Sequence, residues 1–232
     1  RKYSKSWKRP AVAKDLEKYD EAEENPQILE LFQPRGAQIE ALYALEASRS
    51  EGAVKGLVQA ATGVGKTYLA AFDSAGYEHV LFVAHREEIL KQAAVSFRNV
   101  RKSDDYGFFN SRQKDTDKAV IFASVATLGK DTYLCRDYFP KDYFDYIVVD
   151  EFHHAVTDQY RKIIAYFTPK FLLGLTATPE RMDGRNIYEI CDYNVPYEIS
   201  LKDAINKGML VPFHYYGIFD KTDYSGFHPE RG

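Results

Sequence analysis

The sequence predicts an α/β fold in three layers, a mainly parallel β-sheet with helices on both faces. Three observations predict it. Apolar runs of strand length alternate with segments of helical period, the pattern of a parallel sheet crossed by helices. The first of these runs leads into a glycine-containing octapeptide, Ala60-Ala61-Thr62-Gly63-Val64-Gly65-Lys66-Thr67, and then into a helix. Later runs end in small or polar clusters, and in an open parallel sheet a ligand sits beyond the carboxyl ends of the strands.

The elements follow in chain order. Pro34 fits the first turn of a helix that turns Ile39, Leu42 and Leu45 inward. Val54 to Ala60 reads as a buried strand, and Lys66 to Ala75 as the next helix, closed by Gly76 with a left-handed backbone. A second strand runs from His79 to Ala84. The helix from Arg86 to Val100 places Ile89, Leu90, Ala93, Ala94 and Phe97 on one face, as an amphipathic crossover requires. Further strands are expected at Ala119 to Ala123, Tyr146 to Val149 and Phe171 to Leu175, with a helix from Asp158 to Phe167 before the last. Leu201 to Lys207 reads as a short helix capped by Gly208, and Val211 to Phe219 as strand-like. No repeat or low-complexity tract appears.

Composition bounds the function. The 232 residues are 45% apolar, ample for a buried core. No stretch approaches 18 consecutive apolar residues and no signal-peptide segment follows the basic start, so a cytoplasmic protein with no membrane partner is expected. Cys135 and Cys191 lie far apart without metal-ligand spacing and read as reduced thiols. A net charge of −3 argues against bulk electrostatic binding of nucleic acid, so any such contact must be local. Residues 1–30 pair a basic start, five cations in the first ten residues, with seven acids from Asp15 to Glu30, and read as a solvated lead-in.

The octapeptide between strand and helix is a Walker A loop whose first glycine is replaced by Ala60. Its chemistry survives the change. Gly63 and Gly65 let the N–H groups of Thr62 to Thr67 close around phosphates, and the helix N-terminus adds partial positive charge. Lys66 is expected to reach the β- and γ-phosphates, and the Thr67 hydroxyl to hold Mg²⁺. A second metal contact and a group that activates water are also needed. Asp150-Glu151-Phe152-His153 supplies both at the end of the apolar run Tyr146-Ile147-Val148-Val149. Asp150 is the expected metal carboxylate, emerging next to where the first strand delivers Lys66, and Glu151 the general base. A transition-metal site built from His153, His154 and Asp150 is the rival reading. One Mg-ATP site explains both motifs and is preferred.

Walker A and B alone define a P-loop ATPase. A transporter-type ATPase would need a signature such as LSGGQ before Walker B, where this chain has Pro140-Lys141-Asp142-Tyr143-Phe144-Asp145. Thr176-Ala177-Thr178-Pro179 resembles motif III of superfamily-two helicases, Asp150-Glu151-Phe152-His153 their DExH box, and Phe32-Gln33-Pro34-Arg35-Gly36-Ala37-Gln38 their R-x-x-Q segment. Ala60 then fits as well, because that superfamily commonly carries A-x-T-G-x-G-K-T. The set is similar to the first RecA-like domain of these motors, closest to restriction-enzyme motor subunits and related DNA translocases.

The resemblance implies a RecA-like domain over residues 31–219 and, from 220 to 232, the start of a linker to a second RecA-like domain. It also implies specific roles. Gln38 would read the adenine edge with support from Arg35. Thr176 and Thr178 would couple His153 to the nucleic-acid side. Ala84-His85-Arg86-Glu87 resembles motif Ia, and Ser124-Val125-Ala126-Thr127-Leu128 the motif after it, which offers Arg86, Ser124 and Thr127 as sequence-independent nucleic-acid contacts. The implied activity is ATP-dependent DNA helicase or translocase action, with ATP hydrolysed only when the second domain supplies arginine fingers. An RNA helicase domain and a nucleotide-sensing module without motor activity are the alternatives.

Overall fold

The structure is a computed structural model that describes residues 32–177 and 187–210. Helix α1 (Ala37–Ser50) precedes strand β1 (Lys55–Ala60), helix α2 (Lys66–Asp73), strand β2 (Val80–Ala84) and helix α3 (Glu87–Arg101). Strands β3 (Tyr106–Phe109) and β4 (Val120–Ser124) follow, then the short helix α4 (Val125–Leu128) and strand β5 (Tyr146–Val149). A 3₁₀ turn (Phe152–His154) leads to helix α5 (Asp158–Tyr166) and strand β6 (Phe171–Thr176). The described chain ends with helix α6 (Ile187–Ile190), strand β7 (Tyr197–Ile199) and helix α7 (Leu201–Asn206).

Among the described residues the sheet has seven strands in the order β3-β4-β2-β5-β6-β1-β7, and each pairing is parallel. Strands β2, β4, β5 and β6 are buried at every position, which is why they read as unbroken apolar runs instead of alternating ones. Alternation appears in which core each residue joins. Val80, Phe82 and Ala84 face a core shared with α1, α2 and α3, whereas Leu81 and Val83 face one shared with α4, α5 and α6. This period of two puts helices on both faces and makes the three layers.

Several boundaries differ from expectation for identifiable reasons. Helix α1 starts at Ala37, after Gly36 at φ 53, so Pro34 lies before it. Ile39 is 43% exposed, and Ala37, Gln38, Ala41 and Leu45 form the inward face. Helix α2 ends on Ser74 in a right-handed conformation, and Gly76 is not left-handed, so the glycine does not close the helix as expected. Gly208, at φ +68 just past α7, does sit where a helix terminates. Strands β3 and β7 were not expected. They have four and three residues and lie at the two edges, too short to give a periodic signal. The expected strand Val211 to Phe219, the lead-in 1–30 and the linker 220–232 lie outside the described residues.

A buried ionic cluster ties the α1–α2 layer to the sheet. Arg49 at the end of α1 grips both carboxylate oxygens of Asp73 at 2.7 and 2.9 Å. Asp73 also accepts from the Tyr146 hydroxyl on β5, and the Arg49 guanidinium lies 5.0 Å above the Phe171 ring on β6.

Candidate nucleotide-binding site

The loop between β1 and α2 reverses through Gly63 at φ 95 and Gly65 at φ 84, backbone that a residue with a side chain reaches only at a cost. Gly65 is also the N-cap of α2, so the first N–H groups of that helix open toward the loop. Lys66 folds back over it, donating from Nζ to the carbonyls of Ala60 at 2.8 Å and Ala61 at 3.4 Å. Burial lowers the Lys66 ammonium below its ordinary titration range, and the charges of Asp150 and then Glu151 oppose that shift. Thr62 is exposed at the loop tip, and Val64 and Thr67 are half-buried.

Helix α1 braces this loop. Gln38 is 7% exposed and donates from Nε2 to the Val64 carbonyl at 3.3 Å and the Gly65 carbonyl at 3.2 Å. Its Oε1 accepts from the Arg35 backbone N–H at 3.2 Å, while the Arg35 residue itself stays exposed. A Cβ at Gly65 would run into the Gln38 amide, so glycine there serves the close approach as well as the turn. Gln38 therefore sits beside the phosphate loop and holds its backbone, while Arg35 is joined to Gln38 through its own backbone N–H.

Asp150 leaves β5 with its N–H bonded to Val83 O at 3.0 Å and its Oδ1 accepting the Glu151 N–H at 2.9 Å. Burial raises its carboxyl above the usual range, against the Glu151 N–H bond and the nearby Lys66 charge. The sequence reading put Asp150 next to where β1 delivers Lys66, but strand β6 lies between β1 and β5, so the two residues follow strands that are not neighbours. Their charges still bear on one another. Glu151 takes a left-handed backbone, φ 50 and ψ 50, unusual for a residue with a side chain.

The 3₁₀ turn that follows is seated by a glycine. A Cβ at Gly174 in β6 would come within 2.7 Å of the Phe152 ring, so only glycine lets Phe152 lie on the sheet. The seated turn brings His153 Nδ1 to 3.4 Å from Thr176 Oγ1 at the end of β6. Thr178 lies outside the described residues. Burial lowers the His154 imidazole below its ordinary range, helped by His153 and His85.

The nucleic-acid candidates differ in accessibility. Arg86 is exposed at the N-cap of α3, whereas Ser124 and Thr127 are 7% and 6% exposed at the end of β4 and in α4. Two residues near the carboxylates were not picked out from sequence. His85 Nδ1 lies 2.6 Å from Glu151 Oε2. Tyr160 of α5 is buried, and burial, then Glu151 and Asp150, push its phenol up. His85 was within the quoted motif Ia segment, but its partner is remote in sequence; Tyr160 reads as one more apolar position of an amphipathic helix. Among the described residues the group close enough to share a metal ion is His85, Glu151 and His154, which replaces the expected rival set of His153, His154 and Asp150.

A parallel sheet with a Walker loop at the end of β1 and acidic residues at the end of β5 is a RecA-like P-loop domain. The chain belongs to the family described as type III restriction enzyme, res subunit, whose model matches residues 31–181. It is similar to the type I restriction enzyme EcoAI endonuclease subunit of Escherichia coli, 27% identical over 218 residues that make up 86% of this chain and 26% of that one. Among solved structures it resembles the Hef helicase domain of Pyrococcus furiosus, with TM-score 0.54 and 20% identity over 68% of this chain and 37% of that one. It also resembles the SWI2/SNF2 ATPase core of Sulfolobus solfataricus in complex with double-stranded DNA, with TM-score 0.55 and 19% identity over 71% and 36% of the two chains. These structural likenesses establish the fold. The chain spans about a quarter to a third of the length of the curated relatives it matches. No described helix is long and apolar enough to cross a membrane.

Proposed function

We propose that this chain is the ATP-binding half of an ATP-dependent DNA helicase or translocase, completed by a second RecA-like domain beyond residues 220–232. The observation that carries this reading is the meeting of three features. A phosphate loop is shaped by two left-handed glycines and crossed by the Lys66 ammonium, and Asp150 and Glu151 lie close enough that their charges act on that lysine. The donor set fits an Mg-nucleotide: a lysine, loop N–H groups, the Thr67 hydroxyl and a carboxylate. Thr67 and Asp150 would hold Mg²⁺, which supplies positive charge to the phosphate oxygens when bound. Lys66 exchanges its loop carbonyls for phosphate oxygens, and Glu151 orients and deprotonates the attacking water. Gln38 holds the loop from behind and, with Arg35, faces the base. The Thr176–His153 contact, with Thr178, couples the phosphate side to the nucleic-acid side, where Arg86, Ser124 and Thr127 contact one strand without reading sequence. The restriction-enzyme relatives favour DNA over RNA as the track.

The test is nucleotide binding and turnover. These 232 residues by themselves are expected to bind Mg-ATP weakly and hydrolyse it poorly, and the full-length protein to hydrolyse it with stimulation by duplex DNA. Lys66→Ala should lower nucleotide affinity at least about tenfold, the order of a lost charge-assisted phosphate contact. Fast DNA-stimulated hydrolysis by the 232 residues alone would refute the need for a second domain. Absence of Mg-ATP binding in the full-length protein would refute the motor reading and favour a non-motor module. Stimulation by RNA but not DNA would move the assignment to RNA helicases.

A further inference from the structure

Gln59 is a polar residue inside strand β1, 4% exposed, and its Oε1 is buried without a hydrogen-bond partner among the described residues. A buried amide oxygen left unpaired is costly, and such groups are rare enough to call for an explanation. The sheet register shows what stands on either side. Gln59 is aligned with Thr176 of β6 and with Glu198 of β7. Leu57 and Leu172 belong to the core shared with α4, α5 and α6. Side chains alternate along a strand, so Gln59, two residues after Leu57, and Thr176, four after Leu172, lie on that same face. Neighbouring strands run about 5 Å apart, within reach of a glutamine side chain. A carboxylate at Glu198 can only accept a hydrogen bond, whereas a threonine hydroxyl can donate one, so Thr176 is the neighbour that suits Oε1.

Thr176 is 1% exposed, and its Oγ1 lies 3.4 Å from His153 Nδ1, long for a hydroxyl hydrogen bond. That contact is weak, and an open acceptor stands on the β1 side. Gln59 also precedes Ala60, whose carbonyl accepts from Lys66 Nζ at 2.8 Å. It is joined to the phosphate loop along the chain and to Thr176 across the sheet.

We propose that Gln59 is a positioning residue that gives the Thr176 hydroxyl a second seat, so that the hydroxyl turns from His153 Nδ1 to Gln59 Oε1 during the motor cycle. This rests on the reading of Thr176 and His153 as the coupling pair. The step is a rotation about the threonine Cα–Cβ bond between staggered positions. It exchanges one hydrogen bond for another and transfers no proton. His153 is half-buried, so water reaches the nitrogen that Thr176 leaves, and the buried amide oxygen gains the partner it lacks. Two discrete arrangements of similar energy are what a coupling element requires. With an apolar residue at position 59, Thr176 would keep a single seat and the DExH box would stay tied to the end of β6.

The experiment compares wild type with Gln59→Met, which keeps the volume and removes the acceptor, in the full-length protein. ATPase rate is read with duplex DNA, and translocation by displacement of a third strand from that duplex. Displacement per ATP hydrolysed should fall at least about threefold, within the range produced by residues that touch neither ligand. KM for Mg-ATP and the ATPase rate at saturating DNA should stay within about twofold of wild type, a small change in barrier. The urea midpoint should hold or rise, because an unpaired buried oxygen has gone. In a Thr176→Val background, Gln59→Met should change displacement per ATP no further, since the two residues act through one hydrogen bond. Unchanged displacement per ATP in Gln59→Met overturns the second seat and leaves the motor reading standing. A lowered urea midpoint also overturns it, because the amide would then be a structural group held by other partners, and so does a further loss in the Thr176→Val background. A wild-type protein that DNA does not stimulate, or that displaces no strand, overturns the motor reading along with it.

Discussion

Lys66 and Asp150 are opposite charges that burial works against, which is a common condition of groups meant to meet a charged ligand. The shift of Asp150 has a stability consequence whose sign is fixed. Its folded carboxyl titrates above the unfolded one, mainly because of burial, so its contribution to stability is full below the unfolded pKa and is lost as pH rises through the folded value. At neutral pH the ionised carboxylate is therefore a net cost to the empty fold. Asp150→Asn should melt at a higher temperature than wild type near pH 7. The gap should close toward about pH 4, where aspartate protonates. Thermal melts across that range check it, and a gap that widens in acid would show that the carboxylate is stabilised by partners and not destabilised by burial.

At the scale of elements, the phosphate loop is shaped by a helix remote from it in sequence. Helix α1 holds the loop through Gln38, and Gly65 makes room for that amide. Gln38→Ala should cost about 1–2 kcal/mol, the range for removing a donor from half-buried carbonyls. Gly65→Ala should cost about 1–3 kcal/mol through its positive φ, plus the clash with the amide. In the double variant the clash is gone and only the backbone strain remains, so the two losses should fall short of additive by at least ~0.5 kcal/mol. Urea unfolding of the four proteins measures this. Strict additivity would mean that the amide does not press on the loop.

Across the whole molecule, the Arg49–Asp73–Tyr146 cluster joins three elements that the chain visits far apart, α1, α2 and β5. The Asp73 side chain is 2% exposed, so removing it would leave a guanidinium and a phenol without their shared acceptor. Asp73→Ala should cost about 3–5 kcal/mol, seen as a lower urea midpoint, and adding Arg49→Met should recover part of the loss by removing a largely buried charge left with only the exposed Glu46 as partner. Failure of the second change to recover any stability would mean that the cost lies in packing.

The parallel sheet and its loop were legible because burial on both faces writes β2, β4, β5 and β6 as continuous apolar runs, and because a Walker loop needs glycines, a lysine and a hydroxyl at fixed spacing. A strand-interior glycine was visible in Phe171-Leu172-Leu173-Gly174-Leu175, but what it admits, the Phe152 ring, was not. Edge strands of three and four residues gave no period to read. The same division holds in the site. Residue type and spacing along one chain segment determined the phosphate loop and the Asp150-Glu151 pair. Strand order decided that β6 separates Lys66 from Asp150 and that His85 faces Glu151, and the packing of helix α1 decided that Gln38 closes on Gly65. Those contacts join segments distant in sequence, and their geometry exists only once the sheet has set which strand ends lie side by side.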